Sequence, residues 1–456
     1  MMNRRLKVSF YGDDFTGSTD AMEALTLSGL RTVLFLRLPS SRWLDETFPD
    51  LEAIGLAGTS RQMSPEEMER DLRPALARLA EIPSTVVHYK VCSTFDSSPQ
   101  VGSIGKVIDM GKDIFRPGYI PLVVGVPPLK RYTVFGNHFV RVGEETYRLD
   151  RHPTMSRHPI TPMDEADLRL HLGRQTNSRM ALMDVLDLAG DMEEVRKRLR
   201  ERTADNPDVV LFDVLDDEHL LKIGQLLWEE ARNGQRFIVG SSGVEYALGA
   251  WFQQTGGASR AEKKGPSPSP DARQILVASA SCSPVTRRQI EWALANGFAG
   301  IRVPAEQLVD PGERDKALEQ CYREAVPILE KGGSLILYTA LGPDDPSLER
   351  TRERLRSLGL PHYESGKLIG TQLGMLTRRL LKEAGIRRLV VAGGDTAGYL
   401  TQQLDIIALE IISPVDPGGP LCRVYSGLPD LDGLEIALKG GQVGQEDYFA
   451  KALHLR

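Results

Sequence analysis

Short apolar runs recur along this chain, and most are separated by a longer amphipathic stretch. "KVSFY", "TVLFL", "AIGLAG", "TVVHYKV", "PLVVGV", "VVLFDVL" and "RFIVGSS" read as buried strands. Ser64–Ala80, Ala166–Leu172 with its continuation, and Asp191–Arg200 read as helices between them. A tight hairpin cannot join two parallel strands, whereas an intervening helix can, so the alternation predicts an α/β fold with a mostly parallel sheet flanked by helices.

The alternation breaks once. Thr255–Asp271, "TGGASRAEKKGPSPSPD", has no apolar periodicity and is rich in Gly, Ser, Pro and charge, which is a linker composition. Beyond it the pattern restarts with "QILVASAS", helix Val285–Asn296, "GIRVP", helix Asp315–Lys331, "SLILYTA", helix Ile369–Glu383, "RLVVAGG" and helix Thr396–Leu404. At 456 residues the chain exceeds what one ordinary core supports. The division expected is an N-terminal domain over 1–254, a linker over 255–271 and a C-terminal domain over 272–456, with the active site in the cleft between two such sheets.

Several function classes drop out. A formal net charge of −6 gives no basic field for nucleic acid or an anionic membrane. No run approaches the roughly 18 apolar residues of a membrane span, and Asp13 and Asp14 interrupt any signal-like core at the amino terminus. Cys92, Cys282, Cys321 and Cys422 show no CxxC spacing, which fits reduced thiols and a cytoplasmic address.

In an open parallel sheet, ligands collect beyond the carboxyl ends of the strands. The first such end reads "KVSFYGDDFTGSTDAMEA". Buried strands favour neither adjacent carboxylates nor glycine, so Asp13 and Asp14 point to a site. Gly12 and Gly17 let backbone approach a ligand, and Thr16–Thr19 present N–H groups and hydroxyls at a helix start, with Asp20 or Thr19 as its cap. The plainer alternative has the aspartates solvating a turn, with Thr16 or Ser18 as N-cap. Two neighbouring strand ends favour the site. "AGTSRQMS" offers Arg61, whose guanidinium holds carboxylates bidentately, and "HYKVCSTFDSSPQVGSIGK" offers Lys90, Ser93, Thr94, Asp96 and Ser97. Together they make a pocket for a small anionic polyol. Arg131, Asn137, His138, His152 and His158 lie in proline-punctuated segments without metal-ligand spacing, and each histidine reads first as structural. "FIVGSSGVEYALG" serves either anion binding at a helix start or close strand–helix packing.

In the second half, "ILVASASCSPVTRRQI" places Ser279, Ser281 and Ser283 between strand and helix, and Ser283-Pro284 also makes an ordinary helix cap. "LVVAGGDTAGYLTQQL" delivers Gly393, Gly394, Asp395 and Thr396 to a helix start, which suits a polyphosphate. "LKGGQVGQED" adds Gly440 and Gly441 with Lys439 available, and "VDPGGPLC" a further glycine loop. There is no GxxxxGK[ST] P-loop, no GxGxxG after a strand and no DxD spacing.

Taken in order around the linker, "GDDFTGSTD", "TSR", "GGDTAG" and "KGGQVG" resemble the four-carbon acid sugar kinase family over nearly the whole chain. The resemblance implies a substrate-binding N-terminal domain, a nucleotide-binding C-terminal domain, and ATP-dependent phosphorylation of the terminal hydroxyl of acids such as threonate, erythronate or 3-oxo-tetronates. It implies that Asp14, Arg61 and the Lys90 loop meet the sugar acid. Ser281 or a neighbouring serine, Gly393–Thr396 and Gly441 then meet ATP. On this basis Asp14 accepts or orients the hydroxyl proton, Asp13 supports it or helps place Mg2+, and Arg61 and Lys90 anchor the carboxylate. One departure matters: the family usually reads KKxDSTLRG where this chain has "YKVCSTFDSSPQ", so Cys92 replaces Asp and Asp96 replaces Arg. Specificity follows from which pocket groups are left paired, so the expected substrate shifts toward a branched or oxidised relative such as 3-oxo-isoapionate. The rivals are a non-catalytic sensor of sugar acid and nucleotide, and a nicotinamide-dependent dehydrogenase, which lacks its fingerprint here. The partners expected are a small sugar acid and ATP, with a homo-oligomer possible and neither nucleic acid nor membrane.

Overall fold

The computed structural model describes residues 5–158, 160–231, 234–257, 266–270 and 272–455. It divides into two compact units, Met1–Thr32 with Pro39–Lys263 and Val33–Leu38 with Lys264–Arg456. Residues 258–265 and 271 of the expected linker lie outside the described residues.

In chain order the early strands are β1 (Leu6–Gly12), β2 (Thr32–Phe35), β3 (Ala53–Ala57), β4 (Ser84–Lys90) and β5 (Ile120–Val123). A ribbon of β6 (Arg131–Val134), β7 (Asn137–Val142) and β8 (Glu145–Arg148) follows, then β9 (Met180–Met183), β10 (Val209–Phe212) and β11 (Arg236–Gly240). The sheet of the first unit runs β3-β1-β4-β11-β5-β10-β9, every pair parallel. Val8, Phe10, Val86, Val87, Ile238 and Val239 are fully buried, which is why these strands read as apolar runs rather than alternating ones. The ribbon is antiparallel and turns at Phe135-Gly136, both with positive φ (50° and 78°), the backbone that a tight two-residue hairpin requires. Asp213 fixes that turn by accepting from Phe135 N (2.5 Å) and Gly136 N (3.0 Å).

The second unit contains β12 (Leu276–Ser279), β13 (Ala299–Arg302), β14 (Leu335–Tyr338), β15 (Arg388–Ala392), β16 (Ile406–Asp416), β17 (Gly419–Ser426) and β18 (Glu435–Lys439). Its order is β13-β14-β12-β15-β18-β17-β16, with the first five parallel and β17 and β16 antiparallel. Its core gathers Ile275, Val277, Ile290, Ile336, Val390 and Phe449. One segment departs from a simple division at the linker: Val33–Phe35 pairs antiparallel with β16, Val33 opposite Glu410 and Phe35 opposite Ala408. "TVLFL" is thus a strand as expected, but from Val33 on it groups with the second unit, because an apolar run does not encode which strand it will pair with.

Among the described residues no helix is long and apolar enough to cross a membrane. All four cysteines are free thiols.

Candidate active site

The register of the first sheet puts Gly12 opposite both Ala57 and Lys90, so β3, β1 and β4 end at one level. Beyond that level Asp13 N donates to Lys90 O (2.9 Å), and Asp13 O accepts from Arg61 N (3.1 Å). Asp14 is still extended (φ −145°, ψ 170°) and caps the helix Phe15–Leu27. Its Oδ1 accepts from Gly17 N (2.8 Å) and its Oδ2 from Thr16 Oγ1 (2.9 Å). The cap is therefore Asp14, not Thr16, Ser18, Thr19 or Asp20, since only Asp13 and Asp14 separate the strand end at Gly12 from the helix start at Phe15. Asp20 lies within the helix, its Oδ2 3.9 Å from Lys90 Nζ.

Arg61 binds the two aspartates together. Its Nε and Nη2 donate to Asp13 Oδ2 and Oδ1 (3.0 and 2.8 Å), and its Nη1 lies 2.9 Å from Asp14 Oδ2. Burial pushes Asp13 above the ordinary carboxylate range, with Arg61 pulling the other way. Burial lowers Arg61, but Asp13 and Asp14 more than offset this and leave it well above its ordinary value. Lys90 behaves alike: burial lowers it, while Asp20, Asp13 and Asp14 raise it on balance. The aspartates differ in access, with side-chain exposures of 6% for Asp13 and 21% for Asp14. Gly17 leaves room for this cluster: a Cβ there would stand 2.4 Å from Lys90 Nζ and 2.5 Å from Asp14 Oδ1, so one of them would have to shift.

The loop after β4 is folded on itself. Thr94 Oγ1 donates to Asp96 Oδ1 (2.6 Å) and lies 3.0 Å from Cys92 Sγ, while Phe95 holds a positive φ of 55°. Burial alone would raise Asp96, but Arg61 and then Thr94 hold it below the ordinary carboxylate range. Ser93 offers its carbonyl to His138 Nε2 (2.8 Å), so that nitrogen carries the proton and Nδ1 accepts from Thr133 Oγ1 (3.1 Å). Burial pushes His138 down to about 4, so it stays neutral as a prop for the loop. His158 and His152 accept backbone N–H bonds from Thr161 and Thr154 (3.1 Å each), and Asn137 Nδ2 donates to Phe135 O (3.2 Å). "FIVGSSG" serves packing: Cβ atoms at Gly240 and Gly243 would meet Val123 O at 2.1 Å and Gly125 O at 2.2 Å.

The second unit has a different kind of strand end. Ser283 caps the helix Pro284–Ala295 through Val285 N (3.2 Å), Ser283 N donates to Ser281 Oγ (3.2 Å), and Ser281 N reaches Ser279 Oγ (3.4 Å). Gly393 has φ 125°, precedes the helix Gly394–Gln402 and donates N–H to Lys439 O (3.0 Å). A Cβ on Gly441 would stand 2.7 Å from Ser281 Oγ, whereas Gly440 has only Val443 nearby, at 3.4 Å. Ser281, Gly393 and Gly441 thus meet in a small cradle beside two helix N-termini, the geometry that receives phosphate. The side chains of Asp395 and Thr396 lie outside the described residues.

In the sequence Lys439 stands out only as a lysine beside a glycine loop. It is fully buried, donates to Thr286 Oγ1 (3.3 Å), and burial pushes it down to about 7. Thr286 in turn donates to Gly441 O (2.9 Å), tying the amine to the cradle. Asp20 reads in the sequence as a cap rather than as the partner of Lys90; its place after the strand-end pair is the available signal.

Residues 8–248 match the family described as a sugar-binding N-terminal domain, and residues 276–449 that described as a nucleotide-binding C-terminal domain. A 3-oxo-isoapionate kinase of Paraburkholderia graminis is 44% identical over 97% of this chain and 93% of the relative. A 3-oxo-tetronate kinase of Pseudomonas savastanoi pv. phaseolicola is 30% identical over 99% and 97% respectively. The fold is shared with a structure titled a putative tRNA synthase from Salmonella typhimurium (TM-score 0.80, 22% identity, 98% of this chain and 99% of that one). It is also shared with a Haemophilus influenzae protein (TM-score 0.70, 23% identity, 97% and 98%).

Proposed function

The chain belongs to the four-carbon acid sugar kinase family and is an ATP-dependent sugar-acid kinase, and from that premise we propose that it phosphorylates the terminal hydroxyl of 3-oxo-isoapionate. The substrate is supported by the 44% identical relative of that name and by the Cys92/Asp96 loop, which departs from the pattern the family usually carries. The observation that carries the mechanism is the Asp14–Arg61–Asp13 cluster at the end of β1.

Asp14, the more accessible aspartate, receives or orients the proton of the attacking hydroxyl. Asp13 holds the Arg61 guanidinium in place, and Arg61 in turn fixes the position of Asp14. In the second unit Ser281, Ser283, Gly393, Gly394, Gly440 and Gly441 cradle the phosphates of ATP, with Lys439 beneath them. Among the described residues no group of three or more His, Cys, Asp or Glu is arranged to hold a metal. A Mg2+ ion would then be held chiefly by nucleotide phosphates and water, with the Ser281 and Ser283 hydroxyls as protein oxygens that would help hold it. Such an ion supplies neutralisation of phosphate charge.

The test is Mg2+-dependent ADP release from ATP with threonate, erythronate, their 3-oxo forms and 3-oxo-isoapionate. Highest kcat/KM on 3-oxo-isoapionate is the expected result. Preference for a tetronate would overturn the substrate assignment, and binding of an acid without turnover would mean a sensor.

A further inference from the structure

Arg61 holds its charge between two aspartates and Lys90 lies beside Asp20, so neither brings an unbalanced positive charge to an incoming carboxylate. Arg131 does. It shares one face of β6 with Thr133, since residues two apart on a strand point the same way, and across the ladder that face carries Val140 and His138. His138 spans from Thr133 Oγ1 to the carbonyl of Ser93, so this face of the ribbon turns to the Cys92–Asp96 loop.

The Arg131 guanidinium donates through Nη1 alone, to Leu129 O (2.6 Å) and Lys130 O (3.5 Å). Its Nε is buried without a hydrogen-bond partner, and no carboxylate among the described residues forms an ion pair with it. Burial lowers its pKa, and the acidic groups that act on it from a distance are Cys92, Asp20 and Tyr132. Cys92 brings no charge, because burial and then Asp96 push its thiol up to about 11. Arg131 is half-buried, and a guanidinium whose buried Nε–H is unanswered is costly until an anion meets it. In the Asn137–Val142 strand opposite, the facing residues are Val140 and the neutral His138, so the ribbon supplies no such anion.

We propose that Arg131 receives the carboxylate of the sugar acid, on the edge formed by its Nε and Nη2. A planar carboxylate completes that edge with two parallel hydrogen bonds, which a lysine cannot reproduce. Cys92 is part of the same device: an aspartate there, as in the family's usual pattern, would compete with the substrate for Arg131. The assignment rests on the sugar-acid kinase reading and deepens it, by naming the residue that selects an acid.

The experiment compares wild type, Arg131→Met and Arg131→Lys with 3-oxo-isoapionate, 3-oxo-tetronates and the uncharged amide of the preferred acid. Arg131→Met is expected to raise KM for the acid by ~10- to 100-fold, with KM for ATP changed by less than about twofold. It is also expected to erase the preference for acid over amide, which a merely structural role would not do. Arg131→Lys is expected to recover part of the loss. An unchanged acid KM in a variant that melts like wild type overturns the anchor and leaves the kinase standing. If Arg131→Met does not fold, Arg131→Lys decides the matter, and an unchanged acid KM and acid/amide ratio in that variant overturn the anchor. Wild type silent toward every acid sinks the kinase reading, and the anchor with it.

Discussion

At the end of β1 the chain brings Asp13, Asp14, Arg61 and Lys90 together; at the ends of β12, β15 and β18 it brings Ser281, Gly393 and Gly441 together over one buried lysine. Both are strand ends of parallel sheets, yet one is built from paired charges and the other from backbone and hydroxyls. On the proposed function the difference follows from the ligands. A small polyol offers hydroxyls whose positions must be told apart, which takes fixed side chains at fixed distances. Polyphosphate offers a dense negative charge that backbone N–H groups and helix starts satisfy. On the proposed function, charge at the first site orients the acid, whereas the described groups of the second are backbone, hydroxyls and one buried lysine.

The sharpest way to break this comparison is Asp14→Asn. Turnover should fall by ~10^2- to 10^4-fold while ATP affinity, read by calorimetry, stays within about twofold. A parallel loss of ATP affinity would show that the two sites do not have separate tasks. Gly17→Ala comes next, because a methyl group must displace Lys90 or Asp14; kcat should drop ~100-fold, and a variant with normal kcat would mean that the cluster tolerates repositioning. Its counterpart is Gly441→Ala, which crowds Ser281 Oγ and should weaken nucleotide binding roughly tenfold, with acid binding untouched. Equal damage to acid binding would erase the contrast.

The smallest effect is on pH dependence. Lys439 sits at about 7 in the folded chain against an ordinary 10.5, so between those values the unfolded chain keeps a proton that the folded chain has lost. Stability should therefore rise with pH across that window, and Lys439→Met should flatten the rise in melting temperature. A bound phosphate favours the ammonium form, so nucleotide binding should take up a proton above about pH 7 and weaken as pH climbs further. A slope that survives in Lys439→Met would assign it to another group.

Much of this is legible in the sequence. Apolar runs with continuous burial, such as Val86–Val87 and Val390–Val391, announce parallel strands wherever they fall. The ribbon β6–β8 reads instead as an irregular, proline-punctuated segment, because its turn is Phe135-Gly136 rather than Asn-Gly or Asp-Gly and Asp213, far along the chain, supplies the bonds that fix it. Arg131 gains its meaning from that ribbon, so the string of letters marks it only as one polar residue among several.

The sequence by itself determined the α/β class, the family, and the two glycine-marked strand ends, because periodicity, turn chemistry and short motifs act over a few residues. Tertiary structure alone decided that Val33–Leu38 belongs with the second unit, that Asp14 rather than a hydroxyl caps the first helix, and that Arg61 is taken by aspartates while Arg131 is left open. Those outcomes depend on which distant groups meet after burial. Pairing and desolvation are properties of the folded neighbourhood, not of the local string.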